Sequence, residues 1–370
     1  MSKHRLFLAL SLALAACAAQ AQDIVVGQSV ALSGPNADIG RDMRDGAAAV
    51  FARANATNAI GHVIKLVTLD NANSRQRAAE NTQQLLGPIG ATVLFGYNSG
   101  TNSLDALPLA AGTDTLFFAP FSGAAALRNH PNVYTVRAGY EDEARKIIEA
   151  KRGVGAERAV VLYYDDEVGR ANFDAVVESF AALGAVKPTG VGVKRGARLD
   201  AQTLAALLKD APHYVLATTQ YGTVSDLLRV ASQSGTPVSI AALSFVNPDE
   251  LSESAGELAR GTVVSQVIPS PRAANQVAIP VVKDCAELLQ AFNGAKLNYT
   301  SLESCIAAKT LLVVLKHAGP KPTRPAVLHA AATLGHVDLG GFGLNYAPTN
   351  HNGSNWVELT ILSRGNRYVQ

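Results

Sequence analysis

The residues best suited to chemistry are three hydroxyls, Ser99, Thr101 and Ser122, set beside Gly100 and Gly123 in two short loops, 98–101 and 122–124. Each loop follows a short β-branched or apolar run, 92–95 and 115–118, with the composition of a buried strand, and each opens a segment of helical character. Free N–H groups at a helix start attract an anion, and glycine lets the anion come close. Two such loops side by side, the second completed by Ala124, suit a carboxylate. The simpler use of Ser99 and Thr101 is to cap the helix that follows. A nucleophilic use is the third choice. Gly96-Tyr97-Asn98-Ser99-Gly100 sets a serine between strand and helix, and His336 with Asp338 comes later, but the spacing is G-x-x-S-G rather than the G-x-S-x-G of a hydrolase elbow. The histidines have no metal-ligand spacing, and no glycine-rich phosphate loop follows a strand, so no metal or cofactor is expected.

Strand ends carry such loops in open α/β sheets, where ligands bind beyond the carboxyl ends of the strands. The pattern predicts strands at 23–32 and 63–69, helices at 40–55 and 74–86 with Ser74 as a cap, and then the central stretch 92–128. Four alternations imply a parallel sheet covered on both faces. Residues 133–137 form a short strand that does not fit a fifth repeat and read as a crossover. Alternation restarts with strands at 158–164, 186–193, 213–218 and 238–242, separated by helices at 167–183, 201–209 and 220–233. A short helix is expected at 248–254. Residues 262–268 read as a return crossover. Helices at 276–292 and 302–317 then pack back on the first lobe, a third follows at 326–333, and 356–363 alternates as a strand of the second lobe. The expected fold is therefore α/β, with two doubly wound parallel-sheet lobes joined by three crossovers. The first lobe takes 23–136 and 268–345, the second 137–267 and 346–370.

A chain of 370 residues with 48% hydrophobic and 17% charged residues has ample material for two cores. Residues 1–21 have the form of a cleaved signal peptide: basic Lys3 and Arg5, an apolar run too short to span a bilayer, and the small-x-small sequence Ala19-Gln20-Ala21. Leu14-Ala15-Ala16-Cys17 resembles a lipoprotein box, with Cys17 as the lipid site; cleavage after Ala21 is preferred, because a strand begins almost at once. Removing the leader takes two of the 32 basic residues and none of the 30 acids, so charges balance, which argues against nucleic acid or an anionic membrane as partner. Cys285 and Cys305 remain, and in an oxidising compartment they form a disulfide or stay as two separate buried thiols.

The segments IVVGQSVALSGPNADIGRDMRDGAAAVFARAN (24–55), FGYNSGTN (95–102), VRAGYEDEA (136–144), VVLYYDDEVGRANFDAV (160–176), GTVVSQVIPSP (261–271), NYTSLESCIAAKTL (298–311) and GGFGLNYAPTNHNGSNWVELTIL (340–362) together resemble the type I periplasmic solute-binding proteins of ABC transporters, in particular the branched-chain amino-acid (leucine/isoleucine/valine) receptors. The resemblance spans the mature chain. It implies a periplasmic, non-enzymatic receptor of two lobes that close on a small solute and dock on a membrane permease. It also implies that the loops around Ser99–Thr101 and Ser122–Ala124 hold a carboxylate, and that Tyr221 faces the ligand. The plainer use of Tyr221 is packing at a helix start. The family's second-lobe acid for an ammonium would fall within 242–247, which has none; Phe245 is the large residue there. A standard amino acid would then need Asp166, Glu167 or Asp249 to reach in, and an amine-free or aromatic carboxylate fits better. Arg137 is a candidate for a hinge salt bridge with no partner fixed, and Tyr140 either faces the cleft or braces the hinge. The readings from other classes are an exported serine hydrolase using Ser99 and the sensing module of a signalling receptor.

Overall fold

Strand and helix alternate through β1 (Ile24–Val30), α1 (Ala37–Ala56), β2 (Ile64–Asp70), α2 (Arg75–Leu86), β3 (Val93–Phe95), α3 (Gly100–Ser103), α4 (Ala106–Ala111), β4 (Leu116–Phe118), α5 (Ala125–Arg128) and β5 (Val133–Tyr134). The structure is a computed structural model describing residues 23–34, 36–363 and 367–369; the leader at 1–21 and Cys17 lie outside the described residues. Ser74 caps α2, accepting from the Arg77 amide. The five strands form a parallel sheet in the order β2-β1-β3-β4-β5. Alternation along β3 and β4 sends Val93, Phe95 and Phe118 to the α1 side, where Phe51 waits, and Leu94 and Phe117 to the opposite side with Leu85 of α2.

The second sheet collects β6 (Ala159–Tyr164), β7 (Thr189–Val193), β8 (Tyr214–Ala217), β9 (Ile240–Ala242) and β10 (Val263–Gln266). Their helices are α6 (Tyr140–Gly153), α7 (Glu167–Ala182), α8 (Ala201–Leu208), α9 (Tyr221–Gln233) and α10 (Pro248–Ala255). The chain ends with α11 (Ala273–Ala278), α12 (Pro280–Asn293), α13 (Tyr299–His317), α14 (Arg324–Ala332), the hairpin β11 (Gly335–Asp338) and β12 (Gly343–Tyr346), and strands β13 (Glu358–Ser363) and β14 (Arg367–Val369). Sheet order is β14-β13-β10-β9-β8-β6-β7, parallel from β10 to β7, with β13 and β14 antiparallel at one edge.

Three expectations are corrected. Val133–Tyr134 is the fifth strand of the first sheet, paired with Phe117 and Phe118, so the crossover begins only at Thr135. Val263–Gln266 is likewise a strand of the second sheet rather than a crossover. The helix expected at 276–292 is two helices, because Pro280 forces Ile279 into extended geometry (φ −116°, ψ 108°).

The chain runs between the sheets after β5, after β10 and before β13, and the first and last of these passages are bonded to each other. Thr135 donates its N–H to the His351 carbonyl (3.0 Å), and its own carbonyl accepts from Gly353 N (2.9 Å) and the Tyr346 hydroxyl (2.9 Å). Helices α12 and α13, joined by the Cys285–Cys305 disulfide, pack on α1.

Candidate functional site

A cavity of about 70 Å³ opens between the two sheets, lined by loops after the carboxyl ends of strands and by the helices those loops open. The first sheet contributes Asn36 and Ile39 after β1, Asn98 to Thr101 after β3, and Phe121 and Ser122 after β4. Strands β1 and β3 are where the strand order reverses, the position at which such sheets leave a crevice. Opposite them stand Tyr164 at the end of β6, Val168 and Asn172 of α7, Arg195 after β7, Thr218 and Gln220 after β8, and Phe245 after β9. Tyr140, at the start of α6, closes the wall between the two sets.

Local geometry fixes the first-sheet side. Ser99 adopts φ 128°, a conformation costly for a residue with a Cβ, and its side chain makes no capping bond to α3. Its carbonyl is held instead by the Ser103 hydroxyl at 2.6 Å. A Cβ on Gly100 would come 2.8 Å from Ser122 Oγ, so glycine is what lets the two loops meet. Gly123 serves differently: a Cβ there would lie 2.6 Å from the Tyr140 ring. It seats Tyr140, whose hydroxyl is 3.3 Å from Ser122 Oγ and whose ring packs 5.3 Å from Phe245. Burial pushes the Tyr140 phenol above its ordinary pKa, so it stays a neutral hydroxyl.

Of the residues singled out from sequence, Ser99, Gly100, Thr101, Ser122 and Phe245 line the cavity together. Gly123 lies behind it. Ala124 lines an adjoining annex that shares Gly100, Tyr140, Val168 and Asn172 with the cavity. Tyr221 lines a neighbouring groove, connected through Asn36, Tyr164 and Gln220, and packs beside Ile39, Met43 and Phe121. The helices after the loops, α3 and α5, have four residues each, so their dipoles are small and any anion must rely on individual N–H groups, hydroxyls and Arg195.

None of the lining residues is acidic. The acidic run beside the cavity is engaged by arginines: Asp165 by Arg170 (2.6 Å), Asp166 by Arg195 (2.8 Å), and Glu167 by Arg75 of α2 across the cleft (3.8 Å). Asp166 also caps α7 through the Gly169 amide. Asp249 begins α10 and does not line the cavity. Arg195 lies 3.9 Å over the Tyr164 ring and bonds Asp166 through Nε and Nη2; among the described residues nothing engages its Nη1. Tyr164 is positioned in turn by its hydroxyl, 2.9 Å from Thr223 Oγ1 and accepting from Gln220 N at 3.2 Å.

Behind the wall, Arg137 is buried with its guanidinium 4.5 Å from the Phe121 ring. Its Nε lies 3.1 Å from Glu303 of α13, and its Nη2 donates to Ser244 Oγ at 2.7 Å. Glu143 of α6 accepts from Ser244 N, Ser244 Oγ and Ser265 Oγ. The hydrolase constellation is not assembled. His336 bonds Asn345 in the hairpin, Asp338 caps the turn at Gly340, and no histidine lines the cavity. Among the described residues no cluster could hold a metal ion, and no helix is long and apolar enough to cross a membrane.

A family model described as periplasmic binding protein matches residues 23–363. Among solved structures, the chain is similar to a possible leucine/isoleucine/valine-binding protein from Rhodopirellula baltica SH 1, at 28% identity and a TM-score of 0.88 over 95% of this chain and 97% of that one. It is also similar to a substrate-binding periplasmic protein from Ralstonia solanacearum, at 25% identity and TM-score 0.85 over 94% of this chain and 100% of that one. An extracellular ligand-binding receptor from Verminephrobacter eiseniae ef01-2 shares the fold at 22% identity and TM-score 0.84, covering 94% of this chain and 100% of that one. Among curated protein sequences, none matches the chain.

Proposed function

The chain belongs to the periplasmic binding protein family, and from that premise we propose that it is the extracytoplasmic receptor of an ABC importer, capturing a carboxylate-bearing solute between two closing lobes. The observation that carries this reading is the make-up of the cavity: hydroxyls Ser99, Thr101 and Ser122 and the guanidinium of Arg195 converge on it, and no acid does. A carboxylate finds donors there. A buried ammonium finds no counter-charge, which costs several kcal/mol, so the preferred solute lacks a free amine.

The lobes follow the boundaries given above, with the permease reading their outer rims once they close. Binding is the whole chemistry: a solute that touches both lobes favours the closed state by its differential affinity alone. Export by a cleaved leader puts the mature protein in the periplasm.

The test is a melting-temperature screen of the mature protein against amine-free carboxylates, the matching amino acids and the matching decarboxylated amines. A carboxylate present at about 100 times its Kd stabilises by about 2.7 kcal/mol, a readily visible shift. The expected order is carboxylate above amino acid, with no response to the amine. A response to amines alone removes the carboxylate reading; turnover of an ester or amide that is lost in Ser99→Ala removes the receptor reading.

A further inference from the structure

The annex beside the cavity, about 110 Å³, differs from it in chemistry. It runs between the first-lobe segment Ala124 to Leu127, with Leu104, and the second-lobe face of α7 formed by Val168, Ala171 and Ala175. Alanine at most of these positions leaves apolar space where larger side chains would fill it. The annex is continuous with the carboxylate-binding cavity through Gly100, Tyr140, Val168 and Asn172. A ligand held by its head at Ser99 and Ser122 can extend its apolar part into the annex, whereas the other adjoining space, the Tyr221 groove, is lined by Arg198, Asp226 and Arg229. The charged residues lining the annex are Glu141 and Glu167.

We infer that the solute is a monocarboxylate with an extended apolar tail, alkyl or aryl, which lies in this annex and is gripped by both lobes. The inference rests on the carboxylate reading of the cavity above and deepens it. The tail contacts α5 from one lobe and α7 from the other, so its burial is complete only when the lobes are closed, and tail length sets closure as well as affinity. Leu127, Ala171 and Ala175 offer a second carboxylate no hydrogen-bond donor, so an α,ω-dicarboxylate of equal length is disfavoured by the cost of desolvating its far charge.

Isothermal titration of the mature protein with straight-chain monocarboxylates from butyrate to decanoate, with phenylacetate and 3-phenylpropionate, and with the matching dicarboxylates tests this. Affinity rises about fourfold per added methylene until the annex is full, as burial of one CH₂ predicts. The dicarboxylates bind more weakly than monocarboxylates of the same length. Ala171 is exposed, so Ala171→Leu leaves the fold intact while narrowing the annex, and it moves the best chain length to shorter acids; Ala175→Leu, one turn further on, does the same. Short acids that bind with no gain from length, or a best length unmoved in both variants, overturn the tail subsite and leave the carboxylate receptor standing. Failure of every carboxylate to bind overturns both.

Discussion

Phe245 stands in the cavity wall where an acid would be needed to hold an ammonium, with its ring against Tyr140. Phe245→Glu brings a negative charge into a site otherwise lined by hydroxyls, aromatics and Arg195. Two like charges a few ångströms apart in a partly desolvated site repel by more than in bulk water. The expected result is at least about a tenfold loss of affinity for an amine-free carboxylate and a gain for its amino-acid counterpart, read by titration calorimetry; unchanged carboxylate affinity would sink the argument. Ser99, Thr101 and Ser122 are legible in the sequence because a polar, glycine-bearing loop after an apolar run has few other uses. Arg195 and Tyr164 are not legible, because an isolated arginine after a strand looks like a solvated one until the fold sets it over an aromatic ring. The same holds for the acidic run Asp165 to Glu167. Its three arginine partners lie at sequence distances from 5 to 92 residues, and only the tertiary structure shows that none of these acids is left for a ligand.

Elements that alternate regularly are recoverable from periodicity, and most strands and helices fall where the pattern puts them. The misreadings occur where a local rule has two outcomes. Val133–Tyr134 reads as a short strand with no sheet to join, and it joins the first because β4 offers it an open edge. Ile279-Pro280 breaks a pattern that otherwise runs as one helix, since proline removes an amide and excludes the helical conformation before it. The resulting α12 is tied to α13 by Cys285–Cys305, closing a loop of 20 residues, and by the Lys309–Asp284 ion pair. Cross-linking a loop of this length contributes about 3 kcal/mol. Cys285→Ala with Cys305→Ala should lower Tm by about 5 °C or more, and dithiothreitol should do the same to the unaltered protein. A double variant that melts with the native protein under oxidising conditions would show that packing of α12 and α13 on α1 suffices.

At the scale of the whole molecule, the passages between lobes enclose two buried carboxylates, Glu143 and Glu303, and two buried guanidiniums, Arg137 and Arg128, the latter donating to the Arg137 carbonyl. Both arginines stay protonated, but Arg128 faces Asp142 and Glu141 as well as Glu143, so ionising both acids leaves Arg137 to offset most of two carboxylate charges in a poorly solvated place. Glu143 accepts three hydrogen bonds from Ser244 and Ser265, whereas Glu303 leans on Arg137 alone among the described residues. Burial pushes both acids up, Glu143 against Arg137 and its serine hydrogen bonds; Glu303 moves from 4.5 to about 7, with Arg137 opposing the shift and Glu143 adding to it. Two further acids on facing helices move the same way, Asp42 of α1 to about 6 and Glu250 of α10 to about 7, each chiefly through burial and then, for Glu250, through Asp38, Glu253 and Asp42. A carboxylate with a raised pKa binds a proton more tightly in the folded than in the unfolded chain, so its contribution is fully present below about pH 4.5 and is lost as pH rises through 7. The molecule should thus melt several degrees lower at pH 8 than at pH 5.5 by scanning calorimetry. Glu303→Gln, which holds the neutral form at every pH, should flatten the decline between pH 6 and 8 while leaving the part due to Glu143, Asp42 and Glu250. A Tm that is level or rising across that window would mean that Glu303 is ionised in the folded state, and that Arg137 outweighs burial at the point where the lobes are joined.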